Sequence, residues 1–348
     1  MTIPYKKQFF ILGLSVLMIF LFRAIPAWNS FYAQTFYPLT ARILNRISSL
    51  VPFSIYDIFI LIAVTALITG IITLFLKTYR KRAFFALLVG LGWIYVAFYV
   101  LWGINYFAPD FSTRNELRQE SFDPVQFGDF LDDYVKQLNG SYTPVQIHTS
   151  AQTDSLIHEA YQKIKDTYLF PALPASGHSK KMLFGKLYAA MGIRGYYGPF
   201  FAEAHINPLF LPHEQAAVQA HELGHLAGIT SEAEANLFAY LVTTASSDSA
   251  FRFSGYYSIL PYVLQNARTN LSESDFRQFV ANIDPQIRDL YTQSRQHWRN
   301  LYSDRLGAVQ DWFYEAYLKG NNIPSGTANY SEVIGLLIAT RRKYNENL

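Results

Sequence analysis

Two apolar runs, Ile58 to Leu76 and Ala83 to Ile104, contain no charged residue. At about 1.5 Å per residue, each is long enough as a helix to cross a hydrocarbon core of roughly 30 Å. A third run, Phe9 to Trp28, is interrupted by Arg23, whose long stem can carry its charge to the interface, with Trp28 as an aromatic anchor. A cleaved signal peptide competes for this first run, but it lacks an Ala-x-Ala cleavage pattern and stays apolar beyond the usual signal length. The expectation is three spans, at about 9–28, 55–76 and 83–105.

Basic residues set the orientation. Lys6 and Lys7 precede the first span, and Lys77, Arg80, Lys81 and Arg82 crowd the short loop between the second and third. The segment from Ala24 to Ser54 offers Arg42 and Arg46. Positive loops stay cytoplasmic, so three crossings place everything after Tyr106 outside the cytoplasm. A net charge of +3 is too small and scattered to imply a nucleic-acid partner; the partner these runs imply is the lipid bilayer. With no cysteine, disulfides give no information about compartment.

Between the first two spans, Phe31 to Ser54 places Arg42, Asn45 and Arg46 at helical spacing among aromatic and aliphatic residues, which predicts a helix in the membrane interface; an ordinary connecting loop is the alternative. Ala108-Pro109-Asp110 then breaks the helix and the composition becomes that of a soluble protein. This divides the chain into a membrane region, 1–106, and an extracytoplasmic domain, 107–348. The fold class expected is an α-helical transmembrane N-terminal region followed by an α+β, mostly helical, soluble domain. Helices are predicted near Pro124 to Leu138 and Thr153 to Tyr168 with a β-like run, Val145 to Thr149, between them, and a loop at Phe170 to Ser179. Extended segments follow at Gly192 to Gly198 and Ala202 to Leu211; the latter is expected to form the upper edge of the site and to pair with an extended substrate.

That segment leads into His221-Glu222-Leu223-Gly224-His225. Pro212 can open a helix and Gly228 sits where a left-handed C-cap belongs, so the motif lies on a helix with both histidines one turn apart on one face. Two imidazoles so placed can hold one Zn²⁺, and the glutamate between them can act as general base towards the water such an ion activates. A catalytic zinc site normally has three protein ligands and one open position. Ser231 stands where the HExxHxxGxxH pattern would carry a third histidine, so a carboxylate is the natural substitute. Glu232 opens an E-x-x-x-N pattern with Asn236, which can buttress a ligand histidine through its amide oxygen. Glu234 competes as ligand, but Ser231 and Glu234 also form S-x-x-E, a capping box that would occupy Glu234. Without the histidines, both acids would read as solvated groups of a first helical turn.

Other polar residues are weaker candidates. Glu203 and His205 share one strand face and could orient substrate or stabilise an oxyanion, or else serve behind the site or at the surface. His213 and Glu214 are expected in an exposed first turn. Tyr196, Tyr197 and Tyr256 could donate to a transition state, three among 25 tyrosines.

Several separated motifs accompany the HELGH core: Pro52-Phe53-Ser54 with Asp57, Trp102-Gly103-Ile104-Asn105-Tyr106, Pro199-Phe200 with Glu203-Ala204 and Asn207, Glu232 to Asn236, Phe253-Ser254-Gly255-Tyr256 and Tyr317-Leu318-Lys319. With these the chain resembles a family of bacterial membrane proteins known as a domain of unknown function. That resemblance implies a few N-terminal spans, an extracytoplasmic zincin-like domain and a metallopeptidase activity with no assigned substrate. Phe253 takes a place where the pattern leads one to expect tyrosine. The expected function is a membrane-anchored zinc peptidase acting on envelope proteins or peptides, with metal on His221, His225 and Glu232 and Glu222 as general base. An intramembrane protease fits less well, because Glu214, Gln215, Gln219 and Glu222 keep the motif helix out of lipid. A non-catalytic zinc-binding sensor or scaffold is the alternative from another class; Glu222, which is no ligand, argues for catalysis.

Overall fold

The computed structural model describes residues 3–117, 123–144 and 146–344. Among the described residues helices dominate: three are long and apolar and lie in the first third of the chain, others stand between and after them, and one small sheet lies among the later ones. The apolar helices are Ile3–Ala24, Ile55–Leu74 and Arg80–Leu101, and each is long and apolar enough to cross a membrane. Only 6% of the most apolar window of Ile55–Leu74 is covered by protein, which suits a lipid surrounding. The third helix packs along both of the others.

The first span ends four residues sooner than its composition suggests. Ile25 is extended (φ −103°, ψ 107°) because the following Pro26 disfavours helical backbone before it, and Pro26 then opens a new helix, Pro26–Phe31. Trp28 therefore belongs to that second helix, its ring 5.3 Å from Phe22. The third span also stops early, at Leu101, where the backbone tightens into a 3₁₀ turn, Gly103–Phe107.

The stretch from Pro26 onwards is helical rather than a loop. A π turn, Tyr32–Phe36, joins Pro26–Phe31 to Tyr37–Ser48. On this last helix Tyr37, Ala41, Asn45 and Ser48 are buried against the rest of the protein, whereas Leu39, Ile43 and Ile47 are exposed. The helix is thus apolar outside as well as inside, as an interfacial helix must be. Asn45 Nδ2 donates to the Ala202 carbonyl at 2.8 Å, so its inner face is bonded to the soluble part.

The sheet has three strands, β1 (Ser179–Lys181), β2 (Gly195–Gly198) and β3 (Glu203–Ile206), in the order β1-β3-β2. β1 runs parallel to β3 with Lys180 beside His205; β2 runs antiparallel with Tyr196 beside His205. The extended segment expected as the upper edge is therefore the central strand, and β1 and β2 are the edges. Residues 146–149 form no strand, and Val145 lies outside the described residues. The predicted flanking helices run over Pro124–Ser141 and Ser150–Ile164, the latter opened by a capping box of Thr149 and Gln152. The core is continuous across the expected domain boundary: Tyr32, Tyr37, Trp102 and Tyr106 are buried in the same cluster as Leu223, Leu237 and Phe238.

A buried polar joint fastens the second span to the sheet. Ser54 caps the span, its Oγ accepting from Asp57 N at 2.9 Å and meeting His205 Nε2 at 2.8 Å. Glu203 reaches the same helix start, accepting from Tyr56 N at 2.9 Å while pairing with Lys180 Nζ at 2.5 Å. Asp57 accepts from Leu183 N at 2.7 Å, Tyr188 Oη at 2.6 Å and Tyr196 Oη at 2.5 Å. Glu203 and His205 are thus buried and tied to the start of the second span rather than lying at the surface.

Burial alone would raise the Glu203 carboxyl, but bonds from His205, Lys180 and Tyr56 outweigh it and hold the group below the ordinary carboxylate range. A carboxyl depressed in the fold adds stability above its unfolded value, about 4.3, and loses it as pH falls through the folded one. Glu203→Gln should lower the thermal midpoint at neutral pH, because removing one partner of a buried pair costs about 3–5 kcal/mol. The variant should also flatten the fall in midpoint on acidification. Melting curves across pH in neutral detergent test this, and a variant as acid-sensitive as wild type would refute it.

Candidate metal centre

A 3₁₀ turn, Pro212–Glu214, leads into the helix Gln215–Ala227, which carries both histidines. Gly228 ends it with φ +107°, the left-handed C-cap that a side chain would resist. Three residues later Ser231 caps the helix Glu232–Thr244, its Oγ accepting from Glu234 N at 3.3 Å. So short a turn brings the first residue of the second helix opposite the histidines.

His221, His225 and Glu232 converge there, offering one ligand atom each, all within 4.8 Å of one another. His221 Nε2 and His225 Nε2 are 3.2 Å apart, and Glu232 Oε2 lies 3.0 Å from the first and 3.6 Å from the second. The outer nitrogens fix the tautomers. His221 Nδ1 donates to Asn236 Oδ1 at 2.9 Å and His225 Nδ1 to the Ile229 carbonyl at 2.7 Å. In the neutral rings both Nε2 lone pairs then face a carboxylate oxygen, an arrangement that repels itself unless a cation or proton lies between. Burial disfavours charge on His225, but Glu232 overrides it and raises that imidazole to about 9. The carboxyl of Glu232 is buried too, which would raise it, yet both histidines hold it far below its ordinary value. Two imidazoles and one carboxylate suit zinc, which would displace the proton the cluster otherwise retains.

Glu222 lies beside this cluster. Its Oε2 is buried with no hydrogen-bond partner. Burial pushes the carboxyl up to about 7, with His221 and His225 pulling the other way and Glu232 adding to the rise. It packs against β2 so closely that a Cβ on Gly195 would sit 2.2 Å from Glu222 Oε1. Only glycine gives this carboxylate its place.

Glu234 points elsewhere. It accepts from Phe111 N at 3.0 Å and is paired with Arg114, so it neither joins the histidines nor bonds back to Ser231 as the capping box required. The cap is one-sided because a buried carboxylate gains more from a guanidinium than from a neutral amide. His213 and Glu214 are buried rather than exposed: His213 Nε2 meets Ser294 Oγ at 2.9 Å, and Trp298 Nε1 donates to Glu214 at 2.9 Å. The helix Pro285–Leu301, far along the chain, covers that turn. Tyr256 packs edge-on against Tyr240, 5.5 Å between centroids, in the helical core. Tyr196 is bound to Asp57, and Tyr197 Oη meets Tyr37 Oη at 3.2 Å.

Residues around the cluster came to light only in three dimensions. Tyr314 donates to Glu232 Oε1, leaving Oε2 for the histidine side. Burial, with the Glu232 charge, pushes the Tyr314 and Tyr330 phenols upward, so they remain O–H donors. Tyr314 lies one helical turn before Tyr317 of a motif the sequence singles out, the one available signal for it. Below the histidines, Trp102 Nε1 donates to the His225 carbonyl at 3.3 Å and Tyr37 Oη to that of Leu226 at 2.9 Å. Membrane-side residues thus satisfy the last carbonyls of the histidine helix.

A family model described as a protein of unknown function (DUF3810) matches residues 32–338, and the chain belongs to that family. No curated protein and no solved structure matches it.

Substitutions should separate these roles. Glu232→Ala should abolish stoichiometric zinc, whereas Glu234→Ala should keep the metal and lower stability by about 1–3 kcal/mol through the unpaired Arg114. Tyr314→Phe should weaken metal affinity about 10–100-fold, the usual effect of losing a partner behind a ligand. Metal analysis and competitive chelation read all three. Zinc retained by Glu232→Ala but lost from Glu234→Ala would reverse the assignment.

Proposed function

We propose that this member of the DUF3810 family is a membrane-anchored zinc metallopeptidase of the glutamate-ligated, zincin-like type, with its catalytic domain outside the cytoplasm. The observation that carries the reading is Glu222: a buried carboxylate beside a three-ligand cluster, one oxygen unpartnered, its affinity for a proton raised to about 7. A structural acid would be bonded, as Glu203, Glu214 and Glu234 are. A general base is best with a pKa near the working pH.

His221, His225 and Glu232 would hold the ion, with Asn236, the Ile229 carbonyl and Tyr314 orienting them. Zinc so bound supplies Lewis acidity, polarising a carbonyl and lowering the pKa of a coordinated water to about 7. Glu222 takes the proton of the attacking water and returns it to the leaving amine; one amide bond and one water become an acid and an amine. The edge position of β2 beside Glu222 supports an extended peptide as the substrate form. Envelope proteins or peptides are the substrates that location implies.

Glu222→Gln should keep full zinc and lose about 10²–10⁴-fold in peptide cleavage, because it spares the ligands and removes the base. Metal analysis beside cleavage of a peptide library decides it. Wild-type protein that holds zinc yet cleaves neither peptides nor denatured proteins would instead be a metal-stabilised sensor or scaffold.

Orientation has its own test. A reporter active only outside the cytoplasm should be active when fused after Leu348 or within 24–54, and silent in the 77–82 loop, where Lys77, Arg80, Lys81 and Arg82 cluster. The opposite pattern would put the cluster in the cytoplasm.

A further inference from the structure

Behind the turn that joins the two ligand helices lies a cavity of about 1800 Å³. Its walls come from the end of the first span, the helices Pro26–Phe31 and Tyr37–Ser48, the Gly228–Ser231 turn and the C-terminal helix Val333–Tyr344. Typical small-molecule pockets hold roughly 300–1,000 Å³, so this one has room for a large headgroup and the start of its chains.

Its polar groups are selectively unsatisfied. Arg23 and Arg42 both line it, and among the described residues neither has a hydrogen bond or ion pair. The Arg23 guanidinium lies 4.2 Å from the centre of the Phe107 ring, which fixes its plane and leaves its N–H donors without an acceptor. The carboxylates on the walls are already engaged: Glu234 with Arg114, Glu332 with Asn329 Nδ2 at 2.7 Å, Asp110 with Thr113 N at 2.8 Å and Asp123 with Val125 N at 2.9 Å. Asn29 and Asn105 also line the cavity, 2% and 4% exposed, and Asn29 Oδ1 and Asn105 Nδ2 have no partner. Buried polar atoms are rarely left so. Arg23, Arg42 and an amide N–H are thus offered to an anion, with Lys165 a further cation on the wall, and an amide oxygen is offered to a hydroxyl.

Position selects the source of that ligand. Arg23 is in the last turn of the first apolar helix, and Phe31, Leu39 and Ile43 are exposed on the two helices that wall the cavity. A charge at the end of an apolar span, with exposed apolar residues on the adjoining helices, belongs at headgroup depth.

We propose that this cavity binds the headgroup of an anionic phosphoglycerol lipid, its phosphate on Arg23, Arg42 and Asn105 Nδ2 and a glycerol hydroxyl on Asn29 Oδ1. A choline headgroup lacks both the net charge and the hydroxyl. The site is independent of zinc and of hydrolysis, although Ile229, which orients His225, sits on its wall.

The test uses the full chain in neutral detergent, with native mass spectrometry after titration with phosphatidylglycerol, phosphatidylcholine or soluble glycerol phosphate. Wild type should retain phosphatidylglycerol at least tenfold more strongly than phosphatidylcholine. Arg42→Gln, at an exposed position that should not disturb folding, and Asn29→Asp, which sets a like charge against the phosphate, should each reduce that retention several-fold with unchanged zinc content. Equal retention of the two lipids, or variants that bind as wild type does, would overturn the proposal. Glycerol phosphate binding as tightly as the lipid and displacing it would assign the cavity to a soluble phosphate ester and overturn the lipid.

Discussion

The pairing of Glu203 with Lys180 at the start of the second span is the contact on which the arrangement of this protein depends. Its carboxylate belongs to the central strand, its cation to the neighbouring strand, and the amides it accepts from belong to a helix that can lie in lipid. Three parts of the chain with different solvents thus share one dry charge pair. Low local dielectric makes such a pair costly to break and directional in its geometry. The sheet is therefore registered on the helix, and the helix Gln215–Ala227 packs on the sheet. Asp57, bound by two tyrosines and an amide, adds a second fixed point at the residue after Tyr56.

The cluster of His221, His225 and Glu232 is positioned from both ends of the helix that carries the two histidines. At the N-terminal end Trp298 and Arg194 hold Glu214, and at the C-terminal end Trp102 and Tyr37 take the last carbonyls. Between these, Gly195 lets Glu222 lie flush against the edge strand. The ligand residues themselves do little to keep the helix in place. That division suits a cluster whose neutral imidazoles and carboxylate repel one another unless a proton or cation lies between, because the surrounding structure must then hold them together.

The parts of the fold legible in the sequence were those with a strong local signal. Apolar runs marked the three long helices, Gly228 and Ser231 marked the turn between the ligand helices, and the one-turn spacing of the histidines set them on one face. The parts that escaped depend on distant partners. Nothing near Glu234 in the chain announces Arg114, nothing near His213 announces Ser294, and Glu203 reads as a strand-face acid until a membrane helix is laid against it. The end of the first span was misplaced for a local reason, the constraint of Pro26 on Ile25, which hydropathy does not see. Tyr314 is one tyrosine among 25, and beyond its place one turn before the Tyr317 motif only its donation to Glu232 distinguishes it.

Because Tyr37 and Trp102 bond to the carbonyls of the histidine helix itself, the anchor is no leash. A domain on a flexible stalk samples a volume; this one is mounted. With its spans seated in a bilayer, the cluster sits at one altitude above the surface and looks in one direction, and a chain segment meets it only by passing at that height. Whatever chemistry occurs there, reach selects among partners before any side-chain pocket can, and a form clipped free after Tyr106 would shed that filter along with the contacts that hold its helix together.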